Sequence, residues 1–186
     1  MDTTKRYFFC GIGGSGMLPL ASIVRARGAE VSGSDRALDQ GRTGSKFAWL
    51  EAQGMTLFAQ DGSGVTSAEQ IVVASGAIES SVPDIARAEA LGCARMTRAD
   101  LNAALFNAAE TRIGVAGTSG KSTVTGMIGW ILHCAEREPT VMNGAVMRNF
   151  AKADTPFASA LPGSQASYVS EVDESDGSIA LYQPSV

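Results

Sequence analysis

Residues 6–28 read RYFFCGIGGSGMLPLASIVRARG, an apolar run followed by a glycine-rich loop and a helical stretch. The apolar run predicts a strand at Arg6–Cys10, and the spacing of apolar residues after it predicts a helix over Met17–Arg27. Gly28 is a typical helix terminator, and a second apolar run, Glu30–Ser34, follows it directly. A strand, a helix and a further strand in this order predict a parallel sheet covered by helices.

The same alternation continues along the chain and predicts a mostly parallel α/β fold. The remaining predicted strands are Gln70–Ala74, Arg112–Ala116 and Tyr168–Val172. The remaining predicted helices are Lys46–Gln53, Pro83–Leu91, Ala99–Asn107 and Ser122–Ala135. A short polar connection over 106–111 precedes a fresh strand and a second glycine-rich loop, so we place two domains at 1–107 and 108–186.

Composition limits the classes of function. The chain has 186 residues, of which 45% are hydrophobic and 18% charged, as in a globular protein of one domain and part of a second. The net charge of −4 and the absence of a Lys/Arg cluster argue against nucleic acid as a partner. The three cysteines lack the spacing of a zinc site or a disulfide framework. The cysteines are therefore as expected in a reducing cytoplasm. The stretch 7–24 is uncharged and resembles a signal peptide, but its four glycines and Pro19 argue against that alternative. No other run approaches the roughly 20 apolar residues of a membrane span, so we expect a cytoplasmic protein without membrane insertion.

The first glycine-rich loop predicts nucleotide binding by a Rossmann-like domain. Its residues are Gly11, Ile12, Gly13, Gly14, Ser15 and Gly16. Glycines let the backbone approach a pyrophosphate, whose charge then meets the N–H groups at the start of a helix. Asp35 lies 19 residues after Gly16, near the spacing at which an acid receives a ribose hydroxyl. The alternative is a turn needed only for packing, with Asp35 capping the next segment.

The second glycine-rich loop resembles a phosphate-binding P-loop. Its residues are Gly117, Thr118, Ser119, Gly120, Lys121, Ser122 and Thr123. In such a loop the backbone N–H groups surround phosphates, Lys121 neutralises phosphate oxygens and Ser122 offers a hydroxyl to Mg²⁺. The pattern predicts ATP binding at the beginning of a P-loop α/β ATPase domain. The alternative is an ordinary helix start with a solvated lysine.

An acidic cluster, EVDESD at 171–176, lies at the C-terminal end of the last predicted strand. Ligands of open α/β sheets lie at the carboxyl ends of the strands, so a carboxylate here can meet the Mg²⁺ held by Ser122. Glu171 is the preferred metal ligand because it is nearest to the strand, and Glu174 is the second candidate. The alternative is a solvated acidic turn.

Two further expectations concern packing. Met127, Ile128, Ile131 and Leu132 are spaced as the buried stripe of the helix that follows the P-loop.

The segment 181–186 has the pattern of another strand that begins just before the chain stops. A parallel sheet ending there would leave an unpaired edge, so we expect a truncated domain.

Five motifs together resemble the Mur ligases. They are GIGGSGM at 11–17, SGSD at 32–35, VVASGAI at 72–78, GVAGTSGKST at 114–123 and EVDESDGS at 171–178. They occur in order over essentially the whole chain, and the nearest resemblance is to members that attach L-alanine or a murein peptide to UDP-N-acetylmuramate. The resemblance implies that the first loop, Asp35 and the turn Ser75–Gly76–Ala77 hold a UDP-sugar, and that the second domain binds ATP and Mg²⁺.

The resemblance also implies a ligase of peptidoglycan synthesis. ATP would phosphorylate the substrate carboxylate, and the amine of an amino acid or peptide would then displace phosphate. Lys121 and Glu171 would be the catalytic residues, acting on the transferred phosphoryl group and the metal. We expect this 186-residue chain to bind the UDP-sugar without completing the reaction alone.

The chain departs from the family pattern at three positions. The family usually has histidine in place of Ser119, threonine in place of Ser122 and often a histidine near Gln60. Two other readings remain open from the motifs: a dehydrogenase-like protein that binds NAD, and a nucleotide-sensing module without catalysis. The sequence leaves the amine substrate and the oligomeric state open.

Overall fold

The computed structural model describes residues 5–76, 81–173 and 177–186, in two compact units, Met1–Arg98 and Ala99–Val186. This division falls nine residues before the boundary expected at 107/108. Both units have mostly parallel sheets with helices, which confirms the predicted α/β class. None of the described helices combines the length and hydrophobicity needed to cross a lipid bilayer.

The described part of the first unit contains a sheet of five parallel strands. They are β1 (Arg6–Cys10), β2 (Glu30–Ser34), β3 (Thr56–Phe58), β4 (Gln70–Ala74) and β5 (Ala94–Thr97), in the order β3-β2-β1-β4-β5. The central strand β1 places Phe8 opposite Ser32 of β2 and Val72 of β4. Phe8 and Phe9 are fully buried on it, so the central strand of the sheet lies in the core.

The helices of this unit are α1 (Met17–Ala26), α2 (Arg36–Asp39), α3 (Gly44–Ala52) and α4 (Pro83–Leu91). Local sequence explains the bounds of α4. Pro83 occupies the first turn, where its missing N–H costs nothing, and Gly92 ends the helix with a φ of +70°.

The second unit contains α5 (Arg98–Asn107) from Ala99 onward, α6 (Lys121–Cys134) and a 3-10 helix at Ser178–Leu181. Its described strands are β6 (Thr111–Val115), β7 (Thr140–Met142), β8 (Ala160–Leu161) and β9 (Ser167–Glu171), in the order β6-β9-β7-β8. The pairs β6–β9 and β7–β9 are parallel, and β8 is antiparallel to β7.

Buried hydrogen bonds explain why α5 belongs to the second unit. The amide of Asn102 is fully buried and donates to the Ser170 hydroxyl at 2.9 Å and to the Tyr182 hydroxyl at 2.8 Å. The Tyr168 hydroxyl donates to the Asn102 carbonyl oxygen at 2.8 Å. Phe106 packs edge-on against both tyrosine rings. A boundary after α5 would place Asn102 in one unit and the residues to which it is hydrogen-bonded in the other. The sequence pattern alone does not reveal these hydrogen bonds.

The expected buried stripe of α6 is half wrong. Ile128 and Leu132 pack against the core, but Met127 is 59% exposed and Ile131 63% exposed. The helix instead approaches the sheet through Gly129, where an added Cβ would lie 2.8 Å from Val141 Cγ2. Because a glycine allows this close approach, the face that contains Gly129 is buried and the larger residues beside it are turned outward.

The strand expected at 181–186 is also wrong. Ser178–Leu181 forms a 3-10 helix, and the residues after it are not a strand. The N–H groups of Ser185 and Val186 nevertheless donate to the carbonyl oxygen of Arg112 on β6, at 2.8 and 3.1 Å. The last residues therefore lie along β6 without completing a regular ladder.

Candidate functional site

The first glycine loop connects β1 to α1 and is fixed by backbone hydrogen bonds. The N–H groups of Gly11 and Ile12 donate to the Ser34 carbonyl at 2.8 and 2.9 Å. Gly11 has a φ of +81°, which an L side chain rarely adopts, and Ile12 is fully buried. Gly14 and Ser15 are exposed at the tip. The loop therefore anchors itself through Ile12 and presents backbone at its tip.

Asp35 shapes this loop. Its Oδ2 accepts the Gly13 N–H at 2.8 Å, and its Oδ1 accepts the Ala37 N–H at 2.8 Å as the N-cap of α2. A Cβ at Gly13 would lie 2.9 Å from Asp35 Oδ2, so only glycine fits there without a shift. The structure shows the capping role that the sequence analysis gives as the alternative, since Asp35 is the N-cap of α2 and both of its carboxylate oxygens accept backbone N–H groups.

The sheet order places the loop at a crevice. The chain runs outward from β1 through β2 to β3, then returns to the other side of β1 with β4, so the strand order reverses between β1 and β4. Ligands of open α/β sheets bind at the carboxyl ends of the strands at such a reversal. Ser75 and Gly76 are exposed directly after β4, and so share this edge with the glycine loop. Ala77, the third residue of the expected turn, lies outside the described residues.

A buried carboxylate joins the elements beneath this edge. Asp84, in the first turn of α4, is fully buried and accepts the Ser34 hydroxyl at 2.5 Å, the Gly62 N–H at 2.9 Å and the Cys10 thiol at 3.5 Å. Burial, and after it the charge of Asp84, raise the pKa of Cys10 from 9.0 to about 12. Cys10 therefore remains a protonated thiol that can donate to the carboxylate.

The second loop connects β6 to α6. Gly117 and Gly120 have φ values of +139° and +80°, and Gly120 is the N-cap of α6. The Lys121 ammonium donates to the Gly117 carbonyl at 2.9 Å and lies 3.9 Å from Asp173 Oδ1. Thr118, Ser119 and Thr123 are exposed, and Ser122 is half-buried. The lysine thus lies across the loop, as a P-loop lysine requires.

The carboxyl ends of β9 and β7 lie at the same edge as this loop. Glu171 pairs in register with Val115, the last residue of β6, and its Oε1 accepts the Gly144 N–H at 2.7 Å. The Asn143 side chain, directly after β7, donates to the Ser122 carbonyl at 2.9 Å. Asp173, rather than Glu171, is the acid that the structure places beside Lys121.

These residues offer oxygen ligands of the kind that Mg²⁺ prefers. Ser122 lies in the first turn of α6, Glu171 is the last residue of β9 and Asp173 follows it, so all three lie at the carboxyl ends of the adjacent parallel strands β6 and β9. The described ranges contain no preformed group of three acidic, histidine or cysteine side chains around a metal position. Glu174, the second expected ligand, lies outside those ranges. The donor set fits a metal held partly by phosphate oxygens rather than by a complete protein cage.

Comparison with known proteins identifies the family. The family model described as "Mur ligase family, catalytic domain" matches residues 6–110, more than half of the chain. The chain belongs to the Mur ligase family. A UDP-N-acetylmuramate–L-alanine ligase of Synechococcus sp. (strain JA-2-3B'a(2-13)) is 41% identical over 180 residues, which are 97% of this chain and 35% of that Mur ligase. The chain therefore spans about a third of the length of this relative.

Solved Mur ligases share the fold. The UDP-N-acetylmuramate-alanine ligase MurC of Thermotoga maritima superposes with a TM-score of 0.81 at 26% identity, over 96% of this chain and 39% of that one. The UDP-N-acetylmuramate:L-alanyl-gamma-D-glutamyl-meso-diaminopimelate ligase of Neisseria meningitides gives 0.72 at 25% identity, over 90% and 52%. Both similarities extend through both units of this Mur ligase chain.

Sequence reasoning about this Mur ligase missed residues that lack a motif. Asn143 follows a strand of only three residues, and Asp84 is a single acid in a first helical turn. A groove with a volume of about 420 Å³ also adjoins the P-loop. Its lining includes Ser122, Asn143, Trp130 and Phe150. The one signal that could have identified Asn143 is its position, because it is a polar residue directly after a strand of the sheet that carries the P-loop.

Proposed function

We propose that this chain supplies the UDP-sugar loop and the ATP phosphate loop of a peptidoglycan-precursor ligase. The observation that carries the proposal is the presence, in a Mur ligase, of a glycine loop at the carboxyl ends of the parallel strands in each of the two sheets. The substrate class follows from the relatives, which are named as ligases that join L-alanine or a peptide to UDP-N-acetylmuramate. The first domain, 1–107 in the sequence analysis, would hold the UDP-sugar, and the second, 108–186, the ATP. A cytoplasmic location belongs to the same proposal.

The chemistry is an amide synthesis driven by ATP. A carboxylate is a poor acyl donor, so its oxygen attacks the γ-phosphorus of ATP, ADP leaves, and an acyl phosphate forms. The amine then attacks the acyl carbon, phosphate leaves, and the amine loses a proton. This reaction is proposed for the complete ligase, since the chain spans 35% of the length of its relative from Synechococcus.

The P-loop residues would stabilise the phosphoryl group. Lys121 lies 2.9 Å from the Gly117 carbonyl and can transfer its hydrogen bonds to phosphate oxygens. Ser122 and Glu171 would hold Mg²⁺, with Asp173 beside Lys121 as a further acid. Bound Mg²⁺ would neutralise charge on the phosphate oxygens. Gly117–Thr123 would surround the phosphates with backbone N–H groups.

The glycine loop Gly11–Gly16, with Ser75, Gly76 and Ala77, would hold the UDP portion. Asp35 would act by fixing Gly13, because its two oxygens accept backbone N–H groups. Asp35 is the feature that favoured NAD, and its role as the N-cap of α2 accounts for an acid at this position without a ribose ligand. None of these residues acts as a covalent nucleophile.

Calorimetric titration of the 186-residue chain with UDP-N-acetylmuramate, Mg-ATP and NAD tests the proposal. We expect saturable binding of the UDP-sugar, and no tighter binding of NAD. Lys121→Met should abolish any heat of Mg-ATP binding and leave UDP-sugar binding unchanged, with Lys152→Met, an exposed lysine of the same unit, as the matched control. Preferential NAD binding would replace the proposal with the dehydrogenase-like alternative. Loss of both ligands in Lys121→Met would refute the division into two sites.

A further inference from the structure

Two cationic side chains lie against the first glycine loop. Lys46 on α3 donates from its ammonium to the Gly13 carbonyl at 3.0 Å. A Cβ on Gly16 would lie 2.8 Å from Arg98 Cδ, 3.2 Å from Nε and 3.3 Å from a terminal guanidinium nitrogen. The Arg98 side chain therefore runs along the residue that precedes α1. One cation is in contact with each end of the segment 13–16.

Both contacts bring positive charge to the loop. Among the described residues, the Asp35 carboxylate contacts the loop, and it already accepts the N–H groups of Gly13 and Ala37. In the part of the chain that the structure describes, Lys46 forms no ion pair. The start of α1 adds a partial positive charge of its own. Such an arrangement favours an anion at the exposed tip of the loop.

We propose that Lys46 and Arg98 bind the diphosphate group of the UDP-sugar at this loop. The inference rests on the proposed function and names two residues that the glycine motif does not contain. The guanidinium of an arginine can donate two parallel hydrogen bonds to a phosphate. The ammonium of a lysine attracts the phosphate oxygens as a compact positive charge and donates to them. The Lys46 ammonium has three N–H donors, so it can donate to a phosphate oxygen while it still donates to the Gly13 carbonyl, and the loop backbone keeps its shape.

The test compares ligands with and without the diphosphate on the full 186-residue chain. Lys46→Met and Arg98→Met are titrated with UDP-N-acetylmuramate and UDP by calorimetry, and with uridine by ligand-observed NMR. We expect each variant to raise the Kd of both diphosphates by about tenfold or more, the effect of losing one charge-assisted hydrogen bond. The Kd of uridine should not change, and the salt dependence of UDP binding should become shallower.

Three variants serve as controls. Lys46→Arg and Arg98→Lys keep the charge and should restore most of the UDP affinity. Arg95→Met removes a cation from the edge strand β5, where Arg95 pairs with Glu89, and should bind UDP as the parent chain does. Thermal melts of every variant exclude loss of folding as the cause of weaker binding.

The results separate the two proposals. If the parent chain binds the UDP-sugar and both Met variants bind UDP equally well, the charge assignment is overturned and the proposed function stands. If uridine weakens together with UDP, Lys46 only supports the loop backbone, and the assignment is again overturned. If the parent chain does not bind UDP-N-acetylmuramate at all, the proposed function fails and the assignment fails with it.

Discussion

Replacing Asp84 by alanine should strongly destabilise the first unit. The carboxylate is fully buried and accepts the Ser34 hydroxyl, the Gly62 N–H and the Cys10 thiol. Its removal leaves the hydroxyl and the N–H without an acceptor, and each such buried group costs about 1–3 kcal/mol, or about 2–6 kcal/mol together. The thiol is a weak donor and adds little. Because alanine also removes the cost of burying a carboxylate, we expect a net loss of about 3 kcal/mol.

The loss is measurable by urea unfolding and by calorimetry. For a unit of this size, about 3 kcal/mol corresponds to a fall in Tm of roughly 12 °C or more. Hydrogen exchange gives a local readout, since the Gly62 amide should be protected in the parent chain and exchange quickly in Asp84→Ala. Asp84→Asn keeps one acceptor oxygen and should lose about half as much free energy as Asp84→Ala.

Asp61→Ala is the matched control, because Asp61 is an exposed acid in the same loop as Gly62. Its removal should change the free energy of unfolding by less than about 1 kcal/mol. The reasoning is refuted if Asp84→Ala costs no more than Asp61→Ala, or if the Gly62 amide stays protected. Either result would mean that the buried carboxylate does not hold the loop to β2.

Three further predictions concern backbone contact and thiol chemistry. Gly33→Ala would place a Cβ 2.5 Å from the Phe9 carbonyl oxygen and should cost about 2 kcal/mol or more in urea unfolding, whereas Gly44→Ala, with open space around it, should be neutral or stabilising. Exposed Cys134 should react with a thiol reagent at once and buried Cys10 only on unfolding; early loss of the Cys10 thiol in a mass-spectrometric time course would contradict its burial. Above pH 9 the unfolded Cys10 thiol ionises while the folded one keeps its proton up to about pH 12, so the free energy of unfolding should fall by about 1.4 kcal/mol per pH unit relative to Cys10→Ala. Equal pH slopes in the two chains would rule this out.

The sequence predicted the elements whose pattern is strong and local. The bounds of β1, β2, β4 and α4 agree with the predicted ranges residue for residue. Gly11 follows β1 directly, and α4 begins at Pro83 and ends before Gly92, so these bounds are marked in the sequence itself. The Mur ligase family was identified from motifs in order, and the family model confirms it.

Short and edge elements could not be predicted in the same way. The strands β7 and β8 have three and two residues, too few to show a period, and β8 lies within a segment rich in serine, proline and glycine. The boundary at Arg98 depends on the hydrogen bonds of Asn102, which join residues more than 60 positions apart. Pairing at such distances leaves no local trace in the sequence.

In the candidate site, too, the local motifs were predicted and the contacts made by the fold were not. Both glycine loops were predicted because a strand, a loop and a helix follow one another in the chain. The contacts of Asp35 could not be predicted, because a spacing of 19 residues after Gly16 fits a ribose ligand and a helix cap equally well. Lys46 and Arg98 reach the loop only through the fold, since neither belongs to a motif around it.

The placement of aromatic side chains gives each unit an optical reporter of its own. The chain has two tryptophans: Trp49 lies on α3, three residues after Lys46, and Trp130 lines the groove beside the P-loop. Indole emission responds to nearby charge and water. Trp49→Phe and Trp130→Phe therefore yield two chains that each emit from one unit alone, so that occupancy of the sugar loop and of the phosphate loop can be followed separately without any attached dye.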